Sequence, residues 1–98
     1  MYLLLTYDIN TETETGKKRL TKVAKTCEKY GFRVQNSVFE INVDAAKLLI
    51  LTNELSSIIN HSTDSIRLYK LGKSYRADVK IIGQRKLIEP SQDATFDL

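Results

Sequence analysis

The chain has 98 residues, enough for one domain with one modest core. Its 42% hydrophobic content contains no apolar run near the length of a membrane span, and its single cysteine, Cys27, cannot form an internal disulfide. The net charge of +3 hides an uneven distribution: of 15 Lys and Arg, seven lie between Lys17 and Arg33 and seven between Arg67 and Lys86, while the acids are spread. Two basic blocks on one small domain suggest a polyanion partner, against the plainer reading of solvated lysine faces.

Zinc sites, nucleotide P-loops and dinucleotide folds have no support, because CxxC, His clusters, a Walker loop and GxGxxG are absent from the sequence. The N-terminus begins directly in strand-like sequence without the features of a signal peptide. A cytoplasmic protein with no membrane partner is the expectation, with Cys27 as a core thiol.

Residues 2–9 alternate as a strand, with Leu3, Leu5, Tyr7 and Ile9 facing one way and Tyr2, Leu4, Thr6 and Asp8 the other. Asp8 is a carboxylate at the end of an apolar strand, where burial is costly without a cation or hydrogen bonds. With a basic segment following it, divalent-metal chemistry on nucleic acid is suggested. The plainer alternative is that Asp8 caps the turn.

Thr11 and Glu14 have capping-box spacing, so a helix is expected to start early and run to about Tyr30, with Gly31 as its stop. Leu20, Val23, Ala24, Cys27 and Tyr30 share its apolar face. Lys18, Lys22, Lys25 and Lys29 form a straight row on the opposite face, with few acids to balance them. That row favours contact with phosphates.

Two strands joined by a tight turn at Asn36 are expected between Phe32 and Val43. Asp44 should cap a second helix over about residues 45–60, burying Ala45, Leu48, Leu49, Thr52, Leu55 and Ile59. His61 sits at its polar end and reads as a surface residue. A fourth strand over about 64–71 should turn Ile66 and Leu68 inward, and a fifth is expected at 79–82. The predicted domain spans 1–83. A polar tail, 84–98, with the sole proline, Pro90, is expected to be mobile or to bind a partner.

This order, βαββαβ with an extra C-terminal strand, predicts an α+β, ferredoxin-like fold. Both helices would cover one sheet face. The other face carries Tyr2, Leu4 and Tyr69, which invites a symmetric homodimer.

Tyr7-Asp8-Ile9, the basic start of the first helix, the run from Gly31 to Glu40 (Gly-Phe-Arg-Val-Gln-Asn-Ser-Val-Phe-Glu) and Asp64-Ser65-Ile66-Arg67-Leu68-Tyr69 fall in sequence over about residues 1–82. Together they resemble the CRISPR-associated adaptation protein family Cas-two, a family of metal-dependent endonucleases. The resemblance implies a homodimer in which Asp8 of each subunit shares magnesium, or manganese in its place. It implies catalytic roles for Asp8, Tyr7, Arg19, Arg33 and Phe39, with Asp8 as the metal ligand. It implies nucleic-acid contacts from Lys17, Arg19, Arg33 and Ser37, beside the row Lys18, Lys22, Lys25 and Lys29. Phe39 reads equally well as a core residue, and Lys17 stands where the family often has arginine.

Two functions follow from the resemblance. In one, the dimer cleaves RNA or DNA. In the other, it grips duplex DNA and bridges dimers of the integrase Cas-one during spacer acquisition. The second is favoured, because one acid and no neighbouring histidine make a sparse nuclease site. A toxin-type ribonuclease like the VapD family is the alternative, and a ferredoxin-like RNA-binding module would lack paired aromatics on its sheet strands.

Overall fold

The computed structural model describes residues 1–72 and 80–83. Its elements are β1 (Tyr2–Asp8), α1 (Glu14–Glu28), β2 (Gly31–Gln35), β3 (Val38–Asn42), α2 (Ala45–Ile58) and β4 (Ser65–Leu71). The four strands form one antiparallel sheet in the order β2-β3-β1-β4. This is the ferredoxin-like α+β arrangement expected from the sequence. The most hydrophobic strand, β1, is central, where both of its edges are paired.

Period-two alternation decides the two sheet faces. Leu3, Leu5 and Tyr7 of β1 and Phe39 and Ile41 of β3 are buried with Val23 and Cys27 of α1 and Leu51 and Leu55 of α2. The alternate β1 residues, Tyr2, Leu4 and Thr6, are only half-buried on the open face. Asp8 is exposed, so its carboxylate carries no burial cost within one chain. The expectation of a carboxylate at a buried strand end is corrected on this point.

Helix α1 starts later than the Thr11–Glu14 pattern suggests. Thr13 is its N-cap, and Thr13 Oγ1 accepts from the Gly16 N–H at 3.0 Å. Asn10 instead organises the connection, its side chain accepting from the Glu12 N–H at 2.9 Å. The helix ends at Glu28 with Lys29 as cap. Gly31 is therefore not a left-handed stop, as its position after the helix suggests. It is the first residue of β2, and a Cβ there would collide with the Glu40 carbonyl oxygen. The close approach of β3 is what requires glycine.

Asp44 caps α2 as predicted, its carboxylate accepting from the Lys47 N–H at 2.8 Å. The buried face of α2 is rotated from the expected one. Leu51 and Leu55 are its core residues, with Leu48 and Ile58 packed beside them, whereas Leu49 is 62% exposed. Ala45 is also exposed. The run Leu48-Leu49-Ile50-Leu51 offers apolar residues on every side, so periodicity alone does not select the face that docks.

In β4, Ile66 packs on the core as expected, but Leu68 remains 38% exposed at the edge of the sheet. The expected fifth strand, 79–82, is not formed by its described part: 80–82 carry no strand, and Ile82 is 94% exposed. A strand needs a ladder partner and apolar cover, and Ile82 has no such cover here. Val79 and the 84–98 segment lie outside the described residues. Among the described residues no helix is long and apolar enough to cross a membrane.

Cys27 is fully buried, and burial pushes its thiol up to about 12, with Glu28 adding to the shift and Arg33 opposing it. We expect native protein to resist a thiol reagent at neutral pH and to react at the rate of global opening. Rapid labelling of the folded state, followed by absorbance, would contradict this packing.

Candidate functional site

Asp8 closes β1 and pairs in register with Ser65 at the start of β4. Its side chain is exposed and points to the open sheet face, because Tyr7 before it points into the core. Among the described residues, no group of three or more His, Cys, Asp or Glu is placed to hold a metal. Within one chain, Asp8 offers a single accessible carboxylate, a hard oxygen donor of the type magnesium takes.

Tyr7, Arg33 and Phe39 form a second group on the opposite, core face. Phe39 is fully buried and Tyr7 only 6% exposed. Their ring centroids are 6.2 Å apart, and the Arg33 guanidinium carbon lies 5.3 Å from the Phe39 centroid, a cation–π contact. The Tyr7 hydroxyl donates to the Asn36 carbonyl at 3.2 Å, and the Tyr7 N–H donates to the Ser37 carbonyl at 3.1 Å. Burial raises the Tyr7 phenol above its ordinary range, and the Arg33 charge opposes the rise. Arg33 also reaches Glu28 at 3.5 Å. The half-buried Ser37 lies in the turn between β2 and β3. The five candidate catalytic residues are therefore not gathered into one cleft. Asp8 faces one side of the sheet, while Tyr7, Arg33 and Phe39 pack on the other.

Arg19 belongs to a third group, around Asp64. The Asp64 side chain is 0% exposed, and Arg19 Nε donates to its Oδ2 at 2.8 Å. Asn60 N–H donates to Oδ2 at 2.8 Å, Asn10 N–H to Oδ1 at 2.9 Å and Thr63 Oγ1 to Oδ1 at 3.1 Å. Burial by itself would raise Asp64. The Arg19 guanidinium, the two backbone N–H groups and the Thr63 hydroxyl outweigh it and hold the carboxyl well below the usual carboxylate range. In the sequence Asp64 reads only as the start of a strand motif. The available signal was Arg19 itself, the only arginine among the lysines of α1. Arginine's planar fork suits a buried carboxylate better than a solvated lysine does.

The lysine row forms along α1 as expected, but its members differ. Lys18, Lys22 and Lys25 are exposed and form no ion pair among the described residues. Lys17 sits 3.3 Å from Glu14, both well exposed, a pairing that contributes little. Lys29 is committed to Glu54 at 2.9 Å, and the other oxygen of Glu54 accepts from the Tyr30 hydroxyl at 2.7 Å. That cluster joins the end of α1 to α2. Three cations, Lys18, Lys22 and Lys25, remain in a line on the outer face of the helix without an ion pair among the described residues.

Comparison with known proteins agrees with this fold. The sequence model of the CRISPR associated protein Cas2 family matches residues 1–79. The CRISPR-associated endonuclease Cas2 of Halalkalibacterium halodurans is 49% identical over 96 residues, which is 98% of this chain and 100% of that protein. The CRISPR-associated endoribonuclease Cas2 3 of Rhodospirillum rubrum is 44% identical over 89% of this chain and 92% of that one. The crystal structure of Streptococcus pyogenes Cas2 superposes with a TM-score of 0.78 at 52% identity, covering 85% of this chain and 100% of that one. A hypothetical protein of Thermus thermophilus has the same fold, with a TM-score of 0.72 at 28% identity over 88% of this chain and 94% of that one. With a family model matching residues 1–79 and a relative 49% identical along nearly the whole chain, this chain belongs to the CRISPR-associated Cas2 family.

Proposed function

We propose that this protein acts in CRISPR adaptation as a homodimer that grips duplex DNA and bridges integrase dimers. The observation that carries this reading is the row Lys18, Lys22 and Lys25, three exposed cations in line along one helix face that form no ion pair among the described residues. Such a row meets successive backbone phosphates without reading sequence. Lys17 and Ser37 extend the contact. The half-buried face with Tyr2 and Leu4 supplies the surface on which a second copy packs. Replacing Lys18, Lys22 and Lys25 by glutamine should weaken duplex binding. It should also reduce the log–log salt slope by roughly 0.9 for each phosphate that is no longer neutralised. Binding and slope unchanged in a fluorescence anisotropy titration would make the row a solvated face.

A second reading rests on the exposed Asp8 and on relatives named as endonucleases. Two Asp8 carboxylates brought together across a dimer axis fit magnesium, which is commonly held by one or two carboxylates, water and substrate phosphate. Manganese fits the same oxygen donors. When bound, the ion supplies Lewis-acid polarisation of a phosphodiester and a lowered pKa for bound water. The chain's own residues divide the remaining tasks. Asp8 binds the ion, the lysines hold the nucleic-acid backbone, and Arg33 is held in place over Phe39 and beside Tyr7.

Matched preparations of wild type and Asp8→Ala, tested on RNA and on duplex DNA with magnesium, decide this reading. Stability should change by less than about 0.5 kcal/mol, because Asp8 is exposed. Cleavage by the wild type alone places a nuclease at Asp8. Equal cleavage by both removes Asp8 from the reaction.

A further inference from the structure

Among the described residues, no side-chain hydrogen bond or ion pair holds the Asp8 carboxylate. Among the described residues, its position is set through the backbone. Asp64 is placed to act there from both sides. Its Oδ1 accepts from the N–H of Asn10, two residues beyond Asp8, and the next residue after Asp64 is Ser65, the register partner of Asp8. Its Oδ2 accepts from Arg19 on α1 and from the Asn60 N–H in the connection between α2 and β4. One buried carboxylate thus ties together the end of β1, the start of β4, helix α1 and the turn after α2.

Resting on the metal reading of Asp8, we propose that Asp64 is a positioning residue that sets where the Asp8 carboxylate stands, and that Arg19 acts through Asp64. A site shared across a two-fold axis makes this position critical. A displacement of one Asp8 toward or away from the axis is repeated by its symmetry mate, so the separation of the two carboxylates changes by twice that displacement. A metal site tolerates only about 0.5 Å of such error. Asp64 never touches the metal in this proposal, so its loss acts on affinity through geometry.

The test uses the full-length dimer and free manganese(II), quantified by its electron paramagnetic resonance signal. Wild type and Asp8→Asn define the site. Asp64→Asn, held below its unfolding transition, should bind manganese about 10–100-fold more weakly, the usual effect of losing outer-shell support. Thr63→Val removes one hydrogen bond to Oδ1 and should weaken binding in the same direction by a smaller factor. It takes over as the deciding variant if Asp64→Asn does not fold. Wild-type affinity in the folded variants would overturn the proposal and leave Asp64 merely structural.

If the wild type shows no binding that depends on Asp8, the metal reading itself falls. The carboxyl carbon resonance of Asp8 and the exchange rate of the Asn10 amide then test the positioning role. The Asn10 amide, bonded directly to Asp64, reports that the bond is lost, and the Asp8 resonance decides: it should shift in the variants, and an unchanged Asp8 resonance would overturn the positioning role.

Discussion

Replacing Asp64 by alanine is expected to destabilise the protein by about 3–5 kcal/mol, nearer the lower figure because the Arg19 side chain keeps 18% exposure. The loss arises because the guanidinium and the two backbone N–H groups remain partly or wholly buried without their acceptor. Arg19→Met should cost a similar amount by leaving the carboxylate unpaired. The double variant should cost less than the sum of the two, since each single change already breaks the same pair. Urea unfolding of the four proteins measures this cycle. Strict additivity would mean that the pair is not a unit.

The same cluster fixes how stability depends on acid. The folded Asp64 carboxyl is held below its unfolded value of about 3.9, so the folded state binds the proton less readily. Its contribution is therefore fully present above about pH 4 and is lost as pH falls through the acid range toward the lower folded value. The difference in urea midpoint between wild type and Asp64→Ala should narrow over that range. A constant difference from pH 7 to pH 3 would contradict the assignment.

Phe39→Ala is expected to cost about 3–5 kcal/mol, because the ring is fully buried beside Tyr7 in the centre of the core. Phe39→Leu keeps most of the volume and should retain most of the stability. The pair of variants separates packing from function. If Phe39→Leu is stable and cleaves nucleic acid as the wild type does, the ring is a core residue alone. If it is stable but cleavage falls, the ring works by holding the Arg33 guanidinium 5.3 Å from its centroid. Denaturant midpoints and cleavage rates on the same preparations give the answer.

The fold was largely legible because its signals are local. The alternation of residues 2–8, the Asp44 cap and the hairpin at Asn36 each depend on a few neighbouring side chains, and each is realised. The basic row and Asp8 were legible for the same reason, since they follow from position along one helix and one strand. What the sequence could not decide depended on residues far apart in the chain. The docking face of α2 is chosen by the shape of the core around Leu51 and Leu55, within a run that is apolar all round. Gly31 is required by the Glu40 carbonyl, which arrives from β3. Phe39 and Tyr7 lie on the face away from Asp8 because the sheet separates alternate residues. Asp64 and Arg19 are 45 residues apart and meet only when α1 and the start of β4 converge. Because propensity and periodicity act over a few residues, sequence by itself determined four strands, two helices and the charge on their faces, though not the start of α1 or the absence of strand at 80–82. Tertiary structure alone decided which polar groups are buried, and a buried carboxylate is stable only where distant donors converge on it.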